Sequence, residues 1–214
     1  MARELAGVAG MFKVGSQLFT KEGPKAVEKL AGLGFEIFLD LKFHDIPNTV
    51  AHAVAAGARL PSVRLMTIHA SGGAEMMRAA REAAGSRAGR PKLLGVTVLT
   101  SLDAATLKSV GVSAPPLRHA VALAKLAKKS GMDGVVASAH EIREIRKACG
   151  PGFLIVVPGI RPASAAANDQ SRVATPGDAI RAGADYLVVG RPITAAAKPR
   201  ESALRIAEEI AAAS

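Results

Sequence analysis

The chain has 214 residues, 49% of them hydrophobic and 3% aromatic, with no tryptophan and a formal net charge of +10. That length reads as one domain, 1–214, whose core must be filled by aliphatic side chains. No apolar run approaches the roughly 20 residues that cross a bilayer, and no Lys/Arg run or aromatic interleaving accompanies the charge, so neither membrane nor nucleic acid is an expected partner. The lone Cys149 cannot form an internal disulfide and the opening Met1-Ala-Arg-Glu-Leu-Ala has no signal-peptide pattern, so a reducing, cytoplasmic setting is expected.

Short continuous apolar runs recur along the chain at 11–15, 37–42, 65–69, 93–99, 134–138, 154–158 and 186–190, and read as seven buried parallel strands. Helical patterns lie between them at 25–33, closed by Gly34, and at 73–84, 117–130, 139–148 and 176–182, with a last helix over 200–212. Unbroken alternation of strand and helix predicts an α/β fold, either a (β/α)8 barrel or an open doubly wound sheet. No Gly-x-Gly-x-x-Gly opens a helix, which weakens a dinucleotide-binding reading. Polar residues gather at the C-terminal ends of the strands: Lys13, Asp40, Lys42, His69, Thr97, Ser138 and Arg191. In barrels that end carries the active site.

The stretch from Phe38 to Thr49, Phe-Leu-Asp-Leu-Lys-Phe-His-Asp-Ile-Pro-Asn-Thr, holds the most chemistry. Strand alternation sends Asp40 and Lys42 to one face and Leu39, Leu41 and Phe43 to the other, toward the helices. Opposite charges on an apolar strand are costly to bury unless paired. Asp45 follows where the strand gives way to a loop, and Lys13 ends the preceding strand, so four charges meet at one barrel mouth. Gly190-Arg191 after the last strand suits a phosphate, because glycine lets an anion approach the backbone and arginine offers a bidentate donor. The span 161–175 is rich in Ala, Ser and Asn, which suits a mobile lid. His44, His52, His69, His119 and His140 are dispersed without metal-ligand spacing; Met76-Met77 reads as helix packing, and Cys149 as inert.

Asp40-x-Lys42-x-x-Asp45 resembles the signature of the orotidine 5′-phosphate decarboxylases. The likeness extends, in order and spacing, to Phe12-Lys-Val-Gly, His69-Ala-Ser-Gly-Gly, Val96-Thr-Val-Leu-Thr-Ser-Leu, Pro158-Gly-Ile-Arg-Pro and Val189-Gly-Arg-Pro-Ile-Thr. It implies a (β/α)8 TIM barrel and decarboxylation of orotidine 5′-phosphate to uridine 5′-monophosphate (UMP) without metal or cofactor. By the same resemblance Lys42 protonates the C6 carbanion, Asp40 sits against the departing carboxylate, and Lys13 balances charge and binds ribose. Asp45 would reach across from the second subunit of a homodimer. Thr100 would contact the pyrimidine, Arg161, Gln170, Gly190 and Arg191 the phosphate region, and Thr49 is a further expected substrate contact. The family pattern begins with a strand ending in Ala-Leu-Asp, so the chain is expected to lack its first strand together with a ribose-contacting Asp. Two other readings compete: a pyrimidine-nucleotide-binding homologue without catalysis, and a Mg²⁺-dependent sugar-phosphate decarboxylase, which carries an acidic residue where Lys13 stands.

Overall fold

The computed structural model describes residues 1–162 and 174–213. Seven parallel strands form one sheet in chain order: β1 Phe12–Gly15, β2 Ile37–Phe43, β3 Val63–His69, β4 Lys92–Val96, β5 Gly134–Val136, β6 Leu154–Val157 and β7 Tyr186–Leu187. Each pairs with the next, and β1 and β7 are the sheet's edges. The sheet curls into a half-barrel, so that side chains from β1 and β2 and from the segments after β6 and β7 line a single cavity. The seven strands are those expected from the apolar runs. Among the described residues β1 and β7 do not pair, so the seven-stranded sheet is not a closed ring.

Strand alternation builds two apolar layers. Val14, Leu39, Met66, Leu93, Val135 and Ile155 face outward into the large core shared with the helices. Phe38, Leu65, Leu94, Val96, Val136 and Val156 face inward and fill the floor of the half-barrel. Both faces are buried, which is why these strands read as continuous apolar runs. Gly134 pairs with Leu154 where the two strands leave no room for a side chain: a Cβ there would clash with the Leu154 carbonyl oxygen.

The expected helices are present, with ends shifted by a residue or a few. After the helix Lys25–Ala31, Gly34 takes φ +84° and its N–H reaches the Ala31 carbonyl at 2.8 Å. Met76 and Met77 are fully buried in the helix Gly73–Ala83. Cys149 is buried at a helix end, and burial pushes its thiol pKa up, as suits an inert residue. Helices Ser16–Glu22, Pro47–Gly57, Ala104–Ser109 and Arg191–Thr194 were not legible as periodic patterns. Three are of seven residues or fewer. The fourth buries only Val50, Val54 and Gly57 and is started by Pro47 at its first turn. Among the described residues no helix is long and apolar enough to cross a membrane.

The end of the sheet away from the cavity is fastened by aspartates that precede a strand and hold the one before it. Asp133, just ahead of β5, accepts from the Leu93 N–H of β4 at 2.8 Å and from both terminal nitrogens of Arg90 at 2.7 and 2.8 Å. Asp185, just ahead of β7, accepts from the Ile155 N–H at 2.7 Å and from Arg146 at 2.6 Å. Burial pushes the Asp133 carboxyl pKa up, but the Arg90 and Leu93 hydrogen bonds and the charges of Arg90 and Lys92 outweigh it and hold the pKa below the usual range. Asp133→Ala leaves the Leu93 amide without its side-chain acceptor and the partly buried Arg90 guanidinium with only the Pro91 carbonyl, a loss of about 1–3 kcal/mol. We expect Tm at pH 7 to fall by roughly 2–12 °C, at about 2–4 °C per kcal/mol for a chain of this size. Because the folded pKa is depressed, the difference from wild type is full above the unfolded value of about 4. It should vanish as pH falls through the lower folded value. A difference in Tm that is equally large at pH 3 and pH 7 would contradict this assignment.

Candidate active site

The pairing of β2 with β3 is irregular where the charges lie. Leu39 stands opposite Met66 and Phe43 opposite Ile68, so Asp40, Leu41 and Lys42 together face only Thr67. Lys42 adopts φ +52°, a left-handed conformation that costs a side-chain-bearing residue about 1–2 kcal/mol. Its backbone N–H finds the Thr67 hydroxyl at 2.9 Å instead of a β3 carbonyl. Simple alternation therefore identified the right face, but a bulge, rather than a flat strand, brings Asp40 and Lys42 together. Leu39, Leu41 and Phe43 pack on the helix side as expected.

Asp40 is buried, with 7% of its surface exposed. The Lys42 ammonium donates to both of its carboxylate oxygens at 2.9 Å. The Lys13 ammonium lies 3.4 Å from Oδ2, and the Thr67 hydroxyl donates to Oδ1 at 2.9 Å. Burial pushes the Asp40 pKa up; the Lys42 hydrogen bond and charge, the Lys13 charge and the Thr67 hydrogen bond outweigh it, and the net shift is downward. Asp40 is thus a stable carboxylate between two ammonium groups, and the trio carries one uncompensated positive charge. Gly15 leaves room for this: a Cβ there would meet the Lys13 ammonium at 2.8 Å. His69, at the end of β3, stacks obliquely on His44 with ring centroids 5.2 Å apart. Burial, then the neighbouring His44 and Lys42, push its pKa down against the pull of Asp40, so it is held as a neutral ring.

A cavity of about 340 Å³ opens on this cluster, a size suited to a small molecule. Lys13, Asp40, Lys42, Thr100, Arg161, Gly190 and Arg191 all line it. Seven residues singled out in the sequence from five separate segments thus meet in one place. Asp45 and Thr49 do not line it. Both are exposed, and the Asp45 carboxylate accepts from the Ile46 N–H at 2.6 Å. Gln170 and most of the expected lid at 161–175 lie outside the described residues. Thr67 is the residue that sequence reading missed. Its signal was a hydroxyl midway along an apolar strand, on the inward face shared with Leu65 and His69.

Chemically, β1 and β2 supply a positive corner with a proton-bearing amine beside a fixed, buried negative charge. The segments after β6 and β7 supply two guanidiniums. An anion with two separated negative groups matches that distribution. Among the described residues no three of His, Cys, Asp and Glu converge in a way that could hold a metal ion.

The similarities to known proteins point the same way. Residues 1–206 match the model of the orotidine 5′-phosphate decarboxylase / HUMPS family. Orotidine 5′-phosphate decarboxylase of Trichlorobacter lovleyi is 56% identical over 214 residues, covering 99% of this chain and 88% of that protein. That of Geobacter sulfurreducens is 55% identical over 214 residues, covering 99% and 89%. The crystal structure of orotidine 5′-phosphate decarboxylase from Lactobacillus acidophilus superposes with a TM-score of 0.80 at 41% identity, over 92% of this chain and 85% of that one. With this match over nearly its whole length, the chain belongs to the orotidine 5′-phosphate decarboxylase / HUMPS family.

Proposed function

We propose that this chain is a carboxy-lyase that converts orotidine 5′-phosphate to UMP and CO₂, the last step of de novo pyrimidine nucleotide synthesis. The observation that carries the reading is the Asp40 carboxylate clamped between Lys42 and Lys13 on the wall of a cavity that Arg161 and Arg191 also line. Arg191, with Gly190 and Arg161, takes the phosphate, and Thr100 takes the pyrimidine. Gln170 joins the phosphate contacts and Thr49 the substrate contacts. The substrate carboxylate enters beside Asp40, whose charge repels it by about 4 kcal/mol at ~4 Å and an effective dielectric of ~20. As the C6–carboxylate bond breaks, its electron pair stays on C6 and CO₂ leaves, which removes that repulsion. The Lys42 ammonium, already positioned by Asp40, stabilises the carbanion and gives it a proton. Lys42 then regains a proton from solvent. Lys13 balances the charge of the cluster and binds ribose. No step uses a metal or an organic cofactor, and the site of action is cytoplasmic.

The finer fold reading is a (β/α)8 barrel, of which the described residues supply seven strands. The working form is a homodimer in which Asp45 of each subunit completes the site of the other. Its support is position: Asp45 is exposed outside the cavity, next to an Ile46 that is 65% exposed. Mixing Asp45→Ala and Lys42→Ala chains tests both the sharing and the roles. Each hybrid dimer holds one intact site, so a fully exchanged equal mixture should recover about a quarter of wild-type activity, from parents that have almost none. No recovery after subunit exchange would contradict the shared site.

A further inference from the structure

Thr67 is completely buried at the middle of β3, and its hydroxyl makes two hydrogen bonds. It donates to Asp40 Oδ1 at 2.9 Å and accepts from the Lys42 backbone N–H at 2.9 Å. A hydroxyl has one proton to give and lone pairs to receive, so a single oxygen serves both roles. With the Lys42 ammonium on both Asp40 oxygens, the three residues close a ring of hydrogen bonds: Thr67 to Asp40, Lys42 side chain to Asp40, and Lys42 backbone to Thr67. The ring sits where three residues of β2 face one residue of β3 and where Lys42 holds φ +52°. A lysine does not choose that conformation unaided, and the Thr67 oxygen takes the amide that the bulge turns away from the ladder.

We propose that Thr67 is a positioning residue of the reaction: its hydroxyl pins the β2 bulge and thereby fixes the Asp40 carboxylate and the Lys42 ammonium in one arrangement on the cavity wall. The inference rests on the reading of Asp40 and Lys42 as the reacting pair. The γ-methyl of Thr67 fills space, whereas the hydroxyl aims the pair, and substitutions separate the two. Thr67→Val keeps the volume and removes the oxygen; Thr67→Ser keeps the oxygen and removes the methyl.

The test is steady-state decarboxylation of orotidine 5′-phosphate by the full chain in wild-type, Thr67→Val, Thr67→Ser, Thr67→Ala and Lys42→Ala forms, with Tm measured on each. Thr67→Val is expected to lose roughly 100-fold in kcat, the scale of an ångström-sized misplacement of reacting groups. Its KM should stay within a few-fold, because Arg161 and Arg191 are untouched. Thr67→Ser should recover kcat to within several-fold of wild type despite the missing methyl. Should Thr67→Val fail to fold, Thr67→Ser and Thr67→Ala carry the comparison, since both lack the methyl and differ only in the hydroxyl. A Thr67→Val kcat within threefold of wild type, or a Thr67→Ala kcat equal to that of Thr67→Ser, would overturn the inference while an inactive Lys42→Ala left the reading of the site standing. An active Lys42→Ala would overturn both.

Discussion

Lys42→Ala is expected to lower kcat on orotidine 5′-phosphate by at least ~10⁴-fold while leaving KM within about tenfold. Proton delivery by a placed side chain contributes about 10²–10⁴, and a fixed charge beside a developing anion about 10²–10³. One ammonium supplies both here, so its removal takes the two together. The binding side is insulated because the guanidiniums come from the segments after β6 and β7, far along the sheet order from β2. The folded state should survive, since Asp40 keeps the Lys13 ammonium at 3.4 Å and the Thr67 hydroxyl at 2.9 Å. Steady-state kinetics and a melting curve on the same preparation check the outcome. A variant that melts like wild type and still decarboxylates at more than a hundredth of its rate would contradict the role given to Lys42.

Asp40→Asn should cost about a thousandfold in kcat and should not weaken substrate binding. The amide has the shape of the carboxylate but lacks the charge that opposes the substrate carboxylate. The ~4 kcal/mol of repulsion estimated for that pair corresponds to roughly 10³ in rate when it is relieved in the transition state. Asp40→Asn also loosens Lys42, whose ammonium is held by both Asp40 oxygens at 2.9 Å and would keep only one of them. Its signature separates ground-state repulsion from simple binding. If Asp40 raises the energy of the bound carboxylate, the Kd of orotidine 5′-phosphate measured on Asp40→Asn stays equal or becomes tighter. If Asp40 only helped to bind, Kd would weaken in step with the loss in rate. Equilibrium titration of the slow variant, set beside its kcat, decides between them.

Much of this was legible in the sequence because the inner strands are buried on both faces over most of their length. Runs such as Leu154-Ile-Val-Val157 cannot be mistaken for surface, and a charged residue inside one, as Asp40 is, has no cheap structural explanation. The same logic placed Lys13, Gly190 and Arg191 at strand ends, the family resemblance added Thr100 and Arg161, and all five share one cavity. What alternation could not foresee was the bulge. A period of two assumes a regular ladder, whereas three β2 residues face the single Thr67, and the conformation of Lys42 at φ +52° is set by a residue 25 positions away. Thr67 itself looked like one more β-branched strand residue, because a hydroxyl's partners are invisible without the neighbouring strand. Short helices such as Ala104–Ser109 escaped for a different reason: six residues cannot display a helical period, and the side-chain cap from Asp103 to the Thr106 N–H, at 2.8 Å, is a local signal that needs no apolar stripe.

The charge distribution also accounts for why decarboxylation, rather than mere nucleotide capture, fits the cavity best. A binding site for an anion needs cations alone. Here a carboxylate, held ionised against the effect of burial, is placed among them, where it works against the binding of a second carboxylate and in favour of its loss as neutral CO₂. The most direct test is the ultraviolet absorbance of orotidine 5′-phosphate mixed with the purified 214-residue protein, first without added metal and then with chelator. Conversion to UMP is expected at a rate that the chelator does not change. Binding of the nucleotide without conversion, or conversion that the chelator abolishes and Mg²⁺ restores, would contradict the proposed reaction.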